Sequence, residues 1–490
     1  VNTPVRRIAM AVMVMVMLLL ANLTYVQVIK GSDYRDDSRN QRVLLAEYGR
    51  KRGQISAGGG QVLASSVRTN DRLRYQRQYA NGPLYAAVTG FYSVVYASNG
   101  IEHAQDGVLN GSDDRLFVRR LSDLITGRDP SGGNVVLTID PQVQRAAYDA
   151  MTNKGYRGAV VAMRPDTGEI LAMASTPSYD PNPLADHSAS VQKQAWTQFA
   201  SAAGKPLLNR AVSETYPPGS TFKLVDTAAA LQNGFTVDSP LTAASRITLS
   251  GTQTTLENFA GTPCGAGPTA TLRDALARSC NTAFAELTGQ LGAQKLRAQA
   301  EAFGIGEVDN AIPMPVVPSS LGDIKDIAAL QQSGIGQRDV RLTPLQNAVI
   351  ASTIANGGVR MSPHLVKEIQ APDLTTLDTT DQKRVTRAVP PEVARTLTDL
   401  MVGAENRTQG GGKITGVQIA SKTGTAEHGN DPKNTPPHAW YVAFAPAQNP
   451  RVAVAVVVED GGDRSLEATG GSVAAPVGRA VIAAALGGGH

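Results

Sequence analysis

The sequence predicts an α+β fold: a five-stranded antiparallel sheet flanked by helices, preceded by a transmembrane helix and a small extended mixed N-terminal domain. Three observations predict it. Residues 8–29 contain no charged side chain, and about 20 apolar residues cross a bilayer core. Two apolar runs with hairpin spacing, 158–163 and 169–175, come early, and three strand candidates, 416–426, 438–445 and 451–459, come late. The chain between them is rich in helical patterns, and such segregation suggests an antiparallel sheet with helices packed on it.

Composition narrows the function classes. The 490 residues carry 46 basic and 42 acidic side chains, a net +4 that is too weak for a nucleic-acid binder. Charged residues make up 18% and hydrophobic ones 42%, which excludes a disordered chain. Two cysteines exclude a disulfide-dense mini-protein and a zinc site built from cysteines alone. Six scattered histidines, without HExxH or a His–Cys cluster, leave neither metal nor cofactor expected.

Residues 8–29 centre on Met13-Val14-Met15-Val16-Met17-Leu18-Leu19-Leu20. Arg6 and Arg7 precede them, which favours a cytoplasmic N-terminus, an exported catalytic portion and a single-pass place in the plasma membrane. A cleaved signal peptide is the alternative, but the stretch is long for one and no clear small-x-small site comes before Lys30. Residues 33–56 are polar and arginine-rich (Arg35, Arg39, Arg42, Arg50, Arg52) and read as a solvated stalk, ending in the glycines at 58–60. The chain to 133 is irregular, with Tyr79, Tyr85, Tyr92 and Tyr96 among short apolar segments and a short helix at 121–127. Asp129-Pro130-Ser131-Gly132-Gly133 marks a boundary, so 33–133 is expected as one small domain and 134–490 as the next.

Regular structure is expected to begin with a strand at 134–139 and a helix from Pro141. Arg164-Pro165-Asp166-Thr167-Gly168 has hairpin chemistry between the two early strands. Residues 451–459 are apolar almost throughout, as in a strand covered on both faces. A helix at about 471–486 closes the pattern.

The most informative segment is Tyr216-Pro217-Pro218-Gly219-Ser220-Thr221-Phe222-Lys223, followed by an apolar helix over 224–231. It places Ser220 at a helix N-terminus with Lys223 on the same face. A serine hydroxyl is a poor nucleophile until a base takes its proton, and a lysine serves when burial or nearby positive charge lowers its pKa. Ser-x-x-Lys alone is cheap: Ser190-Val191-Gln192-Lys193 also fits, although without the Pro-Pro-Gly lead-in. Ser279-Cys280-Asn281 follows a helix-like run at 272–278, and Lys422-Thr423-Gly424-Thr425 sits inside a strand candidate. Each has a bland reading. All three in this order, on a helix start, a loop and a strand, point to one catalytic site.

With these motifs the chain resembles the penicillin-recognising serine acyltransferases, and more closely the class B penicillin-binding proteins. Arg52-Gly53-Gln54-Ile55 and Leu63-Ala64 are similar to the stalk motif of that class, with Ala57-Gly58-Gly59-Gly60 in place of its usual Asp-Arg-Asn-Gly. Gly158-Ala159-Val160-Val161, the run 167–173, Tyr179-Asp180-Pro181-Asn182, Ile335-Gly336-Gln337 and Thr343-Pro344-Leu345-Gln346 extend the likeness. The resemblance implies a penicillin-binding/β-lactamase-like transpeptidase domain behind a stalk of dimerisation type.

It also implies a D,D-transpeptidase that acts on D-Ala-D-Ala stem peptides of peptidoglycan and is acylated by β-lactams. Ser220 is then the nucleophile and Lys223 its neighbouring base. Ser279 relays a proton to the departing amine with help from Lys422, and Asn281 holds Lys223 and the substrate amide. Lys422, Thr423 and Thr425 hold the terminal carboxylate, and Gly424 leaves room for substrate along the strand edge. The backbone N–H groups of Ser220 and Thr425 form the oxyanion hole. Cell-wall synthesis and division proteins are implied as partners.

Cys264 and Cys280 lie on the side expected to be exported, where disulfides persist, so a bond tethering the second motif is expected. Two unpaired small core residues are the alternative. Trp440 is expected to pack rather than touch substrate. Thr435 is expected in an exposed loop, where a Ser/Thr kinase could modify it. Three rival functions stand beside the transpeptidase. A D,D-carboxypeptidase uses water as acceptor. A β-lactamase adds a deacylating carboxylate, for which Glu286, Glu301, Glu307 and Glu368 are candidates. A β-lactam-sensing receptor would need a substantial cytoplasmic portion.

Overall fold

The computed structural model describes residues 2–30, 48–127, 131–307 and 312–487. Arg35, Arg39 and Arg42 of the expected stalk, and Asp129-Pro130 of the expected boundary, lie outside the described residues. The N-terminal helix Asn2–Thr24 runs on through a wider turn at Tyr25–Ile29. Its span Thr3–Ile29 has 27 residues and contains an 18-residue window of mean hydropathy 2.2, long and apolar enough to cross a membrane.

Two sheets organise the rest. A six-stranded sheet has the order Thr376–Thr379, Val366–Gln370, Asn134–Leu137, Ile55–Ser56, Val62–Arg68, Tyr75–Tyr79. Asn134–Leu137 pairs parallel with Ile55–Ser56 and antiparallel with Val366–Gln370. The Asn134 side chain joins both neighbours: Oδ1 accepts from the Gln54 N–H at 2.8 Å, and Nδ2 donates to the Ala371 carbonyl at 3.0 Å.

Arg52 corrects one sequence reading. Instead of being solvated it is buried, and its Nε donates to Glu102 Oε2 at 2.7 Å. Arg77 Nε donates to the other oxygen at 2.5 Å and Tyr79 Oη at 3.1 Å, so a fully buried carboxylate is shared by two guanidiniums and a phenol. Burial pushes the Glu102 carboxyl up, but Arg77 and Arg52 outweigh it and hold the group below its ordinary value. An arginine inside a polar run reads as solvated because sequence does not show that its carboxylate lies fifty positions away.

The five-stranded sheet has the order Ala420–Ala426, His438–Ala445, Val452–Val458, Gly158–Met163, Ile170–Thr176, with every pair antiparallel. Val452–Val458 is fully buried because apolar layers cover both faces. Val454, Val456 and Val458 pack with Val143, Met151, Val481 and Ile482 of the helices Pro141–Thr152 and Ala475–Ala485. Ala453, Ala455 and Val457 belong to the cluster that holds Leu345, Ala348 and Ile350 of the helix Pro344–Ala355. Alternation with period 2 divides one apolar strand between two cores. Ala420–Ala426 is left at the sheet edge, against the helix Pro391–Arg407 and the turn Gly219–Thr221.

Candidate active site

Ser220 lies in the single turn Gly219–Thr221 that leads into the helix Lys223–Leu231. The turn is fixed from both sides. Trp440 Nε1 donates to the Pro217 carbonyl at 3.0 Å, and Thr221 Oγ1 donates to the Pro218 carbonyl at 2.9 Å. Trp440 is wholly buried and serves as packing. Gly219 adopts φ +53°, where a side chain is strained, and its N–H donates to the Gly336 carbonyl at 2.9 Å.

Ser279 caps the helix Leu272–Arg278 in the left-handed region at φ 62°, a costly place for a serine, and Asn281 opens the next helix. That turn aims Ser279 and Asn281 at Lys223. Lys223 Nζ lies 3.0 Å from Ser220 Oγ, 2.8 Å from the Ser279 carbonyl oxygen and 2.9 Å from Asn281 Oδ1. From the strand edge, Lys422 Nζ donates to Ser279 Oγ at 2.8 Å and to the Thr423 carbonyl at 2.9 Å. Thus Ser220, Lys223, Ser279, Asn281 and Lys422 meet at one point, although Ser220 and Lys422 are some two hundred positions apart.

The chemistry follows from burial. Lys223 and Lys422 are both buried to within 1% of their surface. Burial, then the Lys422 charge, drives the Lys223 amine well below its ordinary pKa, against a smaller opposing effect from Asp226. Burial lowers Lys422 to about 7. The Ser279 carbonyl and the Asn281 amide oxygen can only accept, so they take the two N–H bonds of a neutral amine. The lone pair is left for a hydroxyl, and Ser220 Oγ at 3.0 Å is nearer than Ser279 Oγ at 3.5 Å.

Some expectations change. A Cβ at Gly424 would lie 2.8 Å from the Pro218 carbonyl oxygen and 3.1 Å from Trp440 Cβ. The glycine therefore also makes room for the nucleophile's own turn. Asn281 Nδ2 already donates to the Glu257 carbonyl at 3.0 Å, so its amide bridges Lys223 to the wall of the site. Thr423 and Thr425 are half-exposed on the edge strand. Cys264 and Cys280 are disulfide-bonded across 16 positions, immediately before Asn281. Ser190 and Lys193 lie exposed on the helix Ala189–Ser201, away from these groups. Thr435 is half-buried, and its hydroxyl donates to the Asp431 carbonyl at 2.7 Å.

Two groups escaped the sequence reading. Asp226, one turn beyond Lys223, is fully buried; Thr288 Oγ1 donates to its Oδ2, and its Oδ1 has no partner. Its spacing from Lys223 was legible, but not its burial. Beyond the edge strand, His428, His438 and Asp460 converge. The two imidazoles stack at 3.7 Å with 6° between planes, so their in-plane lone pairs run parallel and cannot meet at one metal ion. His438 Nδ1 accepts from the Asp460 N–H at 3.2 Å, and burial, then His428, lowers its pKa to about 3. The trio clasps the strand end.

The family comparisons agree with this geometry. Residues 158–483 match the penicillin binding protein transpeptidase domain, and residues 52–135 match the penicillin binding protein A dimerisation domain. The chain is 61% identical over 488 residues to the peptidoglycan D,D-transpeptidase PbpA of Mycolicibacterium smegmatis, covering 99% of each chain. It is 57% identical, with the same coverage, to PbpA of Mycobacterium tuberculosis. Among solved structures, the ceftriaxone acyl-enzyme of M. tuberculosis penicillin-binding protein A superposes with a TM-score of 0.89 at 58% identity, over 90% of this chain and 100% of that one. The penicillin G acyl-enzyme gives 0.86 at 57% identity, over 89% of this chain and 100% of that one. A three-motif serine site on a five-stranded sheet, matched over most of its length, places the chain in the penicillin-binding protein transpeptidase family.

Proposed function

We propose that this protein is a membrane-anchored D,D-transpeptidase that cross-links peptidoglycan stem peptides through an acyl-enzyme on Ser220. The observation that carries the reading is the placement of Lys223 Nζ 3.0 Å from Ser220 Oγ with two obligate acceptors on its other side. Ser220 Oγ attacks the carbonyl carbon of the penultimate D-Ala as its proton passes to Lys223. The oxyanion is held by the Ser220 and Thr425 N–H groups. The C–N bond to the terminal D-Ala breaks, and the leaving nitrogen takes its proton through Ser279 Oγ, which Lys422 polarises. An acceptor amine then attacks the ester, forms the cross-linking amide and returns a proton to Ser220. Lys422, with Thr423 and Thr425, receives the donor's carboxylate, and β-lactams acylate the same serine.

Three of the four glutamates considered as deacylating bases have other partners. Glu286 accepts from the Thr242 N–H, Glu307 is bound by Arg360 and Glu368 accepts from Gln370, while Glu301 is exposed. This supports a long-lived β-lactam adduct over a β-lactamase. The helix at residues 8–29 would anchor the chain once, N-terminus inside, with 33–133 as a stalk and 134–490 as the catalytic domain facing outward. Other cell-wall synthesis and division proteins would be its partners there.

The test is intact-mass analysis of the full chain with penicillin. A single adduct on Ser220 lasting many minutes is expected, and no adduct overturns the reading. A synthetic D-Ala-D-Ala donor, with and without an amine acceptor, then separates cross-linking from release by water. Product that forms only by hydrolysis would make the protein a carboxypeptidase.

A further inference from the structure

The helix Phe117–Thr126 is turned the wrong way for a soluble surface. Phe117, Val118, Leu121 and Ile125 are 57, 79, 48 and 77% exposed. Their spacing gathers them on one side of the helix. The polar side faces the body instead. Arg119 pairs with Asp373, and Arg120 Nη1 donates to the Gly111 carbonyl at 2.8 Å. A helix that packed by its apolar stripe would show the reverse.

Its position points to what covers that stripe. Arg50 Nη1 donates to the Asn110 carbonyl at 2.9 Å, the Gly132 N–H donates to the Lys51 carbonyl at 2.9 Å, and Lys51 bridges Ser131. The segments on both sides of the helix are therefore fastened to Arg50 and Lys51, where the chain arrives from the membrane-type helix. Lys30 and Tyr48 are separated by 17 residues, which hold the two within about 60 Å even when fully extended. Such a tether keeps the face at high local concentration beside a bilayer, so weak interfacial contacts are occupied. A strongly amphipathic helix of low overall hydrophobicity is the type that lies in a lipid interface.

We propose that the face of Phe117, Val118, Leu121 and Ile125 docks on the lipid surface of the membrane that residues 8–29 cross, and rests the N-terminal domain against it. This rests on the reading of 8–29 as an anchor. Arg115 is paired with Asp113 and Asp378, as Arg119 is with Asp373. The flank therefore carries no surplus of positive charge, and docking is by apolar insertion that needs no anionic lipid.

The experiment uses the full chain in phosphatidylcholine vesicles. Val118→Cys and, as control, Leu466→Cys (53% exposed on the catalytic portion) receive an environment-sensitive maleimide dye. The native cysteines are bonded to each other and do not react. Penicillin acylation of each labelled chain shows that it is folded. Nitroxide-labelled lipid is expected to quench the dye at 118 at least twofold and to leave the dye at 466 unchanged. A chain that floats with the vesicles yet shows no quenching at 118 overturns the docking proposal alone. Shielding at 118 that disappears on diluting the protein in lipid also overturns it, in favour of a second copy. A chain that does not float overturns the anchor reading, and the docking proposal with it.

Discussion

Asn281 Oδ1 stands 2.9 Å from Lys223 Nζ and can act only as an acceptor. That contact orients the amine without adding charge, so burial can keep Lys223 neutral.

Asn281→Asp should reverse this. A carboxylate at hydrogen-bonding distance favours an ammonium by roughly 1–3 pKa units. Acylation by penicillin should slow about tenfold or more near neutral pH, and its acid limb should move to higher pH. A pH profile of adduct formation that matches the parent would remove Asn281 from any part in setting the base.

Lys422 is lowered to about 7 by burial. Its cation is present below that value and lost above it, so kcat/KM for a carboxylate-bearing donor should fall as pH rises through about 7. Lys422→Met should raise KM at low pH and abolish this alkaline limb. Steady-state kinetics across pH 5–9 would show it, and an alkaline limb that survives in the variant would assign it to another group.

Asp226 is raised from 3.8 to about 7, first by burial, against opposing effects from Thr288 and Lys223. Because the folded pKa exceeds the unfolded one, the folded state is penalised when the carboxyl must ionise. The penalty is absent below about pH 4 and complete above about 7, on the order of 4 kcal/mol. Asp226→Asn should therefore gain stability relative to the parent as pH rises from 4 to 7. Denaturant midpoints at several pH values test the slope, and parallel curves would mean that Asp226 does not titrate in that window.

The Cys264–Cys280 bond closes a loop of 16 positions next to Asn281. Chain-entropy arguments assign such a loop about 3 kcal/mol. Replacing both cysteines with alanine should lower the unfolding free energy by about that amount, and should slow acylation by loosening the turn that aims Asn281. Unchanged acylation in a destabilised variant would confine the bond to stability.

Much of this protein was legible locally. The apolar span, the five strands of the main sheet and the helix after Ser220 follow from hydrophobic period and from proline and glycine punctuation, which act within one element. The boundaries of Gly158–Met163 and His438–Ala445 could be read to the residue because turn-forming residues bracket them. The three motifs were legible because their order and element types coincide.

Sequence by itself thus determined which side chains are the candidates for the chemistry and on which kinds of element they sit. Tertiary structure decided what each of them faces. It drew Asn134–Leu137 into the second sheet, buried Arg52 against Glu102, set Asp226 beneath Lys223 and turned Gly424 toward Pro218. Period records which side of an element is apolar, but not the partner across the gap. Burial, which lowers the two lysines, arises only when segments distant in the chain exclude water together.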